Sequence, residues 1–100
     1  MTRFTRRRHV LVSYDIADDS RRDGVLKTCK DFGNHVQYSV FLCELDRRET
    51  VVLRERLREI IHAGEDQVLM VDLGPATHAV LDQMDVLGQA YSPPGRSFVV

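Results

Sequence analysis

This 100-residue chain is poor in several residue types and patterns, and each scarcity excludes a class of protein. Two cysteines, Cys29 and Cys43, are too few and too widely spaced for a disulfide framework or a zinc site, which favours a reducing, cytoplasmic location. No stretch is long and apolar enough to cross a membrane, and no signal-peptide core follows the arginine-rich start. We therefore expect a cytoplasmic protein with no membrane partner.

The common motifs of enzymes and RNA-binding sheets are also missing. The chain has no glycine-rich phosphate loop, no Ser-His-Asp order and no aromatic platform of the kind that RNA-binding sheets carry. Cys29 and Cys43 fall at core-like positions, which argues against a thiol nucleophile. His9 and His35 could neighbour each other at sheet ends, but the four histidines share no spacing that would predict an imidazole general base.

Charge is balanced overall but unevenly distributed. The net charge is −1, so there is no global basic signature of nucleic-acid binding. The cationic residues are 12 arginines and two lysines, and arginine suits bidentate contacts to phosphate or carboxylate. Four of them crowd residues 1–8, which we predict to be a mobile basic arm.

Residues 9–16 form an apolar run that ends close to an acid. Val10, Val12, Tyr14 and Ile16 alternate with Leu11, Ser13 and Asp15, as in a strand that is central and covered on both faces. An ionised carboxylate near the end of a buried strand is costly unless it is paired or metal-bound. Asp15 is therefore either a strand-ending cap, or a metal ligand or catalytic acid.

Alternating patterns and capping residues predict the remaining elements. A helix over 21–32 follows the capping-box spacing from Ser20 to Asp23, and a second helix from Asp46 to about residue 62 follows another. A bend at Tyr38-Ser39 divides an extended run into two short strands. The predicted strands are 9–16, 35–38, 40–45 and 67–73.

This order, β-α-β-β-α-β, predicts an α+β, ferredoxin-like domain over residues 9–75 with both helices on one face of the sheet. The other face is bare and apolar, which predicts a homodimer packed sheet to sheet. Residues 76–100 form a C-terminal extension, with a short helix over 76–84. A short strand over 85–88 and the apolar end 97–100 are expected to dock on a sheet, in particular that of the partner.

Acidic and basic residues flank the end of the first strand. Asp15, with Asp18 and Asp19 nearby, offers the oxygen ligands that Mg²⁺ prefers. If a two-fold axis passes near Asp15, a cation between its two copies relieves their repulsion. Arg21 and Arg22 could hold phosphate oxygens, although a solvated first helical turn is the alternative.

Ser39 and Phe41 share a strand face if the extended run is continuous there, and both have open roles. Ser39 could place a hydroxyl beside a metal-bound water, whereas Phe41 is expected to pack in the core or at an interface.

Several short motifs, taken in order, resemble the CRISPR-associated protein two family. They are Tyr14-Asp15-Ile16, Asp18-Asp19, Arg21-Arg22, Gly33, Gln37-Tyr38-Ser39-Val40-Phe41 and Glu65-Asp66, spread over residues 9–88. Each motif alone is weak, whereas the ordered set is specific. Two positions depart from the family, because Gly24 and His35 stand where many members carry a basic residue.

The resemblance implies a ferredoxin-like homodimer whose Asp15 residues meet at the interface and bind magnesium. It implies a metal-dependent endonuclease, a hydrolase acting on single-stranded RNA or double-stranded DNA, with functional positions Tyr14, Asp15, Arg22, Ser39 and Phe41. It also implies assembly with the CRISPR integrase during spacer acquisition in antiviral defence. A non-catalytic, DNA-binding scaffold within that complex is the alternative; a small-molecule sensor, a plain dimerisation module and a toxin-type ribonuclease are further ones.

Overall fold

The computed structural model describes residues 6–77 and 80–91. Their order of elements matches the predicted β-α-β-β-α-β arrangement, with a short 3-10 helix added after the last strand. The elements are β1 (Arg8–Asp15), α1 (Asp19–Phe32), β2 (Gly33–Gln37), β3 (Val40–Leu45), α2 (Arg47–Ile60), β4 (Gln67–Pro75) and the 3-10 helix Val80–Gln83.

The four strands form one antiparallel sheet in the order β2-β3-β1-β4. β1 is therefore central, with Val12 paired to Phe41 of β3 on one side and to Met70 of β4 on the other. Both helices follow strands of this sheet, and the two helices contact each other. The predicted ferredoxin-like fold is confirmed.

Local capping explains where both helices begin. Asp18 is the N-cap of α1, and its carboxylate accepts a hydrogen bond from the backbone N–H of Arg21 at 2.9 Å. The prediction of Ser20 as the cap was wrong, since the helix begins before it. At α2 the predicted capping box is present, with Asp46 and Glu49 each accepting from the other's backbone N–H.

The core lies on the helix-covered face of the sheet. The most deeply buried apolar side chains are Val12, Phe41, Cys43 and Leu45 from the strands and Val25, Cys29, Leu53 and Leu57 from the helices. Burial raises the pKa of Cys29 to about 12 and that of Cys43 to about 11, so both thiols stay protonated near neutral pH. These values agree with the prediction that neither cysteine is a nucleophile.

Gly33 allows α1 to pass directly into β2 against β3. A Cβ at this position would lie 2.4 Å from Sγ of Cys43 and 2.7 Å from the carbonyl oxygen of Leu42. Gly33 is also the C-cap of α1, where its N–H donates to the carbonyl oxygen of Cys29. A side chain here would push the helix end away from the sheet.

On the opposite face of the sheet, the part of the chain that the structure describes places no α-helix. Leu42, Leu11 and Val71 form one cross-strand row, since Leu11 pairs with both neighbours, and the Ser13 row lies next to it. On β4, Leu69 is 51% exposed and Val71 is 44% exposed. We call this surface the open face. The sequence predicted β1 to be covered on both sides, but within one chain only one side is covered.

The folded domain begins earlier in the chain than predicted. β1 begins at Arg8, and the Arg7 guanidinium donates to Glu44 at 3.1 Å and to Glu49 at 2.9 Å. The Arg7 carbonyl oxygen also accepts from the N–H of Ala76. The boundary between residues 8 and 9 was therefore wrong, because Arg7 and Arg8 belong to the folded domain; residues 1–5 lie outside the described ones.

The C-terminal extension follows the prediction only in part. Among the described residues that follow β4, helical structure is limited to Val80–Gln83, and residues 84–91 form no strand. Residues 78–79 and 92–100, including the apolar end at 97–100, lie outside the described residues. Docking of 85–88 on a partner's sheet stays a prediction.

Candidate phosphodiester groove

A groove of about 520 Å³ lies where β1 ends and α1 begins. It brings together four of the residues predicted from the sequence: Tyr14, Asp15, Arg22 and Ser39. Its remaining walls come from α1 and from the hairpin between β2 and β3, and they include Asp19, Asp23, Leu26, His35 and Tyr38. Residues far apart in the sequence therefore meet in one concave surface that carries both acidic and basic groups.

Asp15 is the last residue of β1, and its side chain is exposed rather than buried as the sequence predicted. It pairs with Gln67 of β4, and the alternation of β1 puts it on the open face with Leu11 and Ser13. Among the described residues, no group of three His, Cys, Asp or Glu side chains could hold a metal ion. Asp15 is thus an accessible carboxylate outside any such group, which suits a hydrated hard cation shared with another ligand.

Arg22 carries the positive charge of the groove. Its Nη1 donates to Oδ1 of Asp19 at 2.6 Å, and its Nη2 donates to the carbonyl oxygen of Ile16 at 3.0 Å. A guanidinium has five N–H donors, so these two contacts leave three free to bind an anion. The side chain is half exposed. Its position and spare donors fit the predicted role in phosphate binding.

Arg21 is held elsewhere and does not line the groove. Its Nε donates to Oδ2 of Asp66 at 2.8 Å, and its Nη2 donates to Glu65 at 3.0 Å. The side chain of Asp66 has no exposed surface, and its two oxygens also accept from the N–H groups of Ala17 and His62. The Arg21 contact holds the pKa of Asp66 far below its usual range. Arg21 thus ties two loops together, and its predicted role in nucleic-acid binding stays a prediction.

Tyr14 faces the covered side of the sheet, opposite to its neighbour Asp15. It is buried, and its ring stacks on that of Phe41 with centroids 6.4 Å apart. Burial raises the pKa of Tyr14, so its hydroxyl remains a neutral donor at neutral pH. Phe41 is fully buried beneath the groove and touches no solvent. Its place in the core favours a packing role, and a direct functional role stays a prediction.

Ser39 belongs to the turn between β2 and β3 rather than to a strand face shared with Phe41. Its carbonyl oxygen accepts from the N–H of Tyr14 at 3.1 Å, which joins the turn to the end of β1. The turn itself is the predicted bend, because β2 ends at Gln37 and β3 begins at Val40. Ser39 lines the groove close to Asp15, as the sequence suggested.

The hairpin adds two groove residues, His35 and Tyr38, that were not predicted as site residues. The ring of His35 stacks on Phe41 with centroids 4.6 Å apart, and its Nε2 contacts the carbonyl oxygen of Tyr38. Tyr38 is 90% exposed. The sequence feature that could have indicated both residues was the bend inside an extended run, because this bend brings the β2–β3 hairpin close to the end of β1.

Fold and groove together define a small ferredoxin-like protein whose groove carries exposed acids and an arginine. The family described as CRISPR associated protein Cas2 matches residues 8–79. The chain belongs to this Cas2 family.

Its relatives carry names of one kind. A protein of Geobacter sulfurreducens named CRISPR-associated endoribonuclease Cas2 is 38% identical over 90 residues, covering 90% of this chain and 94% of its own. A CRISPR-associated endonuclease Cas2 of Thermus thermophilus is 37% identical over 89% of this chain and 91% of its own. These names support a CRISPR-associated nuclease role.

A solved structure of Streptococcus pyogenes Cas2 has the same fold, with a TM-score of 0.70 and 33% identity. It covers 80% of this chain and 99% of its own. Separately, none of the helices within 6–77 and 80–91 has the length and apolarity that a membrane span requires.

Proposed function

We propose that this protein is a magnesium-dependent endonuclease that acts as a homodimer. The observation that carries the proposal is Asp15, an accessible carboxylate beside the half-exposed Arg22 in a groove open to a polynucleotide. The endoribonuclease and endonuclease names of its relatives support hydrolysis of phosphodiester bonds in RNA or DNA.

The open face supports the homodimer. The cross-strand rows of the open face become more polar along β1, from Leu11 through Ser13 to Asp15. Leu69 and Val71 add exposed apolar surface beside them. A second copy packed on this face would bury the apolar rows and bring its own Asp15 to the polar end. Two carboxylates from two chains would then form the site that one chain lacks.

The residues of the groove have distinct roles in this proposal. The two Asp15 carboxylates would hold Mg²⁺, which lowers the pKa of bound water and neutralises charge on phosphate. Arg22 orients the phosphate through its free N–H donors, with Asp19 fixing its guanidinium. The Ser39 and Tyr14 hydroxyls line the same groove as neutral hydrogen-bonding groups. The buried ring of Phe41 supports Tyr14 from below.

Replacement of Asp15 by alanine tests the activity directly. We expect D15A to lose cleavage of a labelled RNA and of a labelled duplex DNA in Mg²⁺, at least about 100-fold, and to remain a dimer. Chelation of the metal should reduce the wild type to the same level. The measurements are cleavage rates by gel electrophoresis and the molar mass by light scattering.

D31A is the matched control for D15A, since Asp31 is an exposed acid that pairs with Arg56 at 3.2 Å, outside the groove. It should cleave like the wild type. Cleavage by D15A at the wild-type rate would exclude the groove as a nuclease site.

A second candidate function is a DNA-binding scaffold that assembles with the CRISPR integrase in spacer acquisition. A basic hollow of about 660 Å³ favours it, with Arg6, Arg8, Arg47 and Arg54 among its walls. Within the described residues, Arg56 and Arg58 of α2 form ion pairs, whereas Arg47 and Arg54 of the same helix form none. Free arginines at this spacing suit the phosphate backbone of a duplex.

The charge-reversed pair R47E/R54E separates the two functions. It should weaken duplex binding and flatten its salt dependence while cleavage per bound substrate is kept. R56E/R58E is the control, because it changes the net charge equally on the same helix but replaces arginines that are already paired. If both double variants bind duplex DNA like the wild type, the scaffold surface lies elsewhere.

A further inference from the structure

Tyr38 is an aromatic residue set apart from the other rings of the sheet. Its exposed fraction is 90%, whereas Tyr14 is 7% exposed and Phe41 is fully buried. It is the first residue of the two-residue turn that joins β2 to β3. A single exposed aromatic is not unusual on a protein surface. The backbone of Tyr38 is what makes it unusual.

Tyr38 has a positive φ of 29°, in the left-handed region that is unfavourable for bulky side chains. The other positive φ angles among the described residues belong to Gly74 and Gly88, which adopt them without strain. Glycine or asparagine is the usual choice at the first position of such a turn. Strained positions of this kind persist where the side chain has a function and the surroundings hold the backbone.

The surroundings hold this turn firmly. The N–H of Tyr14 donates to the Ser39 carbonyl oxygen at 3.1 Å, which ties the turn to the central strand. His35 contacts the Tyr38 carbonyl oxygen and stacks on the buried ring of Phe41 with an interplanar angle of 7°. The exposed ring therefore projects from a backbone that is anchored to the core.

The ring adjoins open space next to the catalytic candidates. Tyr38 lines the 520 Å³ groove together with Asp15 and Arg22. It also lines a second hollow of about 710 Å³, whose walls include Gln37 and Gln89. Tyr38 therefore borders both the groove that contains Arg22 and the neighbouring hollow.

We propose that Tyr38 is a stacking residue for an unpaired nucleobase next to the phosphodiester held in the groove. Every nucleobase has a π-face, and stacking on tyrosine tolerates any sequence. A base inside a continuous duplex cannot stack in this way, because its faces are covered by its neighbours. The groove therefore prefers single-stranded or frayed nucleic acid. This inference rests on the proposed binding of a phosphodiester at Arg22.

Y38G and Y38F test the inference with purified full-length protein. Glycine removes the ring but suits the positive φ, so Y38G should fold at least as stably as the wild type. Phenylalanine keeps the ring. The probes are a fluorescein-labelled 12-nucleotide single strand, as RNA and as DNA, and a blunt duplex of the same sequence. Dissociation constants are measured by anisotropy over a range of salt concentrations.

We expect Y38G to bind both single strands about 10-fold more weakly and the duplex within about 2-fold of the wild type. Y38F should stay within about 2-fold on all probes. The salt slope of Y38G should be unchanged, because stacking releases no counterions, whereas R22A should reduce the slope.

Three outcomes overturn the inference: single-strand binding by Y38G equal to the wild type, an equal loss on duplex, or conversion of Y38G to a monomer, which would make Tyr38 an interface residue. If R22A binds more weakly and Y38G binds like the wild type, the groove remains the proposed phosphate site and the stacking inference is wrong. If R22A binds like the wild type and Y38G binds single strands more weakly, the stacking inference holds and the phosphate is not bound in the groove.

Discussion

The two faces of the sheet use the same strands for opposite purposes. On the helix-covered face, Val12 and Phe41 have no exposed surface and form the centre of the core. On the open face, Leu69 and Val71 remain about half exposed. Adjacent residues of β1 are divided between the faces, with Tyr14 in the core and Asp15 in solvent. A strand can therefore be structural and functional at once, because its side chains alternate.

The largest effect should follow from a cavity on the covered face. Phe41 contacts both Tyr14 and His35, so F41A removes the ring that supports the groove from below. We expect the free energy of unfolding to fall by about 3–5 kcal/mol. Urea denaturation followed by circular dichroism measures the change. A loss below about 1 kcal/mol would mean that the covered face is not the main core.

Loss of the Asp66 carboxylate should also lower the free energy of unfolding, though by less than F41A does. Asp66 links the loop after β1 to the loop after α2 through Ala17, Arg21 and His62. The pKa of Asp66 is lower in the folded than in the unfolded chain. The carboxylate therefore contributes fully to the free energy of unfolding when the pH is above the unfolded-state pKa. This contribution is lost as the pH falls toward the folded-state pKa.

Asp66→Asn should therefore unfold at a lower urea concentration than the wild type at pH 7. The difference between the two urea midpoints should stay constant down to about pH 5 and become smaller below about pH 4. A difference that is independent of pH would show that the carboxylate charge does not contribute to stability. Asp31→Asn provides the control, because it removes a single exposed ion pair.

A charge on the open face should leave the fold intact and break the dimer. Val71 pairs with Leu11 at the centre of the apolar rows, so V71K would bring two lysines into the proposed interface. We expect dimerisation to weaken about 100-fold or more, with the circular dichroism spectrum unchanged. Sedimentation velocity measures this. V52K, at an exposed valine of α2, should sediment as the wild type does; dimerisation of V71K at wild-type strength would place the interface elsewhere.

The smallest expected effect is a change of stability that has opposite signs at two glycines, Gly24 and Gly33. A Cβ at Gly24 would lie 3.4 Å from Ile60, an ordinary contact, and alanine favours the helix, so G24A should raise the unfolding free energy by about 1 kcal/mol. At Gly33 the added Cβ would overlap Cys43, and G33A should lower it by about 1–3 kcal/mol. Thermal denaturation of both variants checks the opposite signs. Equal shifts would contradict the close approach at Gly33.

Local signals in the sequence were sufficient where one short segment decides the structure. The capping box from Asp46 to Glu49 and the bend at Tyr38-Ser39 are confirmed, because each depends on residues within a few positions. At α1 the prediction of Ser20 as the cap was wrong, because the chain already turns into the helix at Asp18.

The neighbouring arginines show why part of the site escaped prediction. Arg21 and Arg22 are chemically identical, but successive residues of a helix point about 100° apart. Arg21 meets Asp66 from a loop 45 positions away, whereas Arg22 turns toward the groove. Tyr38 was identified from the sequence only as a bend, because its exposure and its positive φ depend on how the hairpin meets β1.

The sequence by itself determined the order of elements, the ferredoxin-like fold and the family, since hydrophobic period, caps and short motifs are local patterns. It also pointed to Asp15, Arg22 and Ser39, which line one groove. Only the tertiary structure decided that Asp15 is exposed, that Arg21 is occupied by Asp66, and that Tyr38 stands beside both hollows. The physical reason is that exposure and pairing depend on residues distant in the chain, which meet only when the sheet and helices pack.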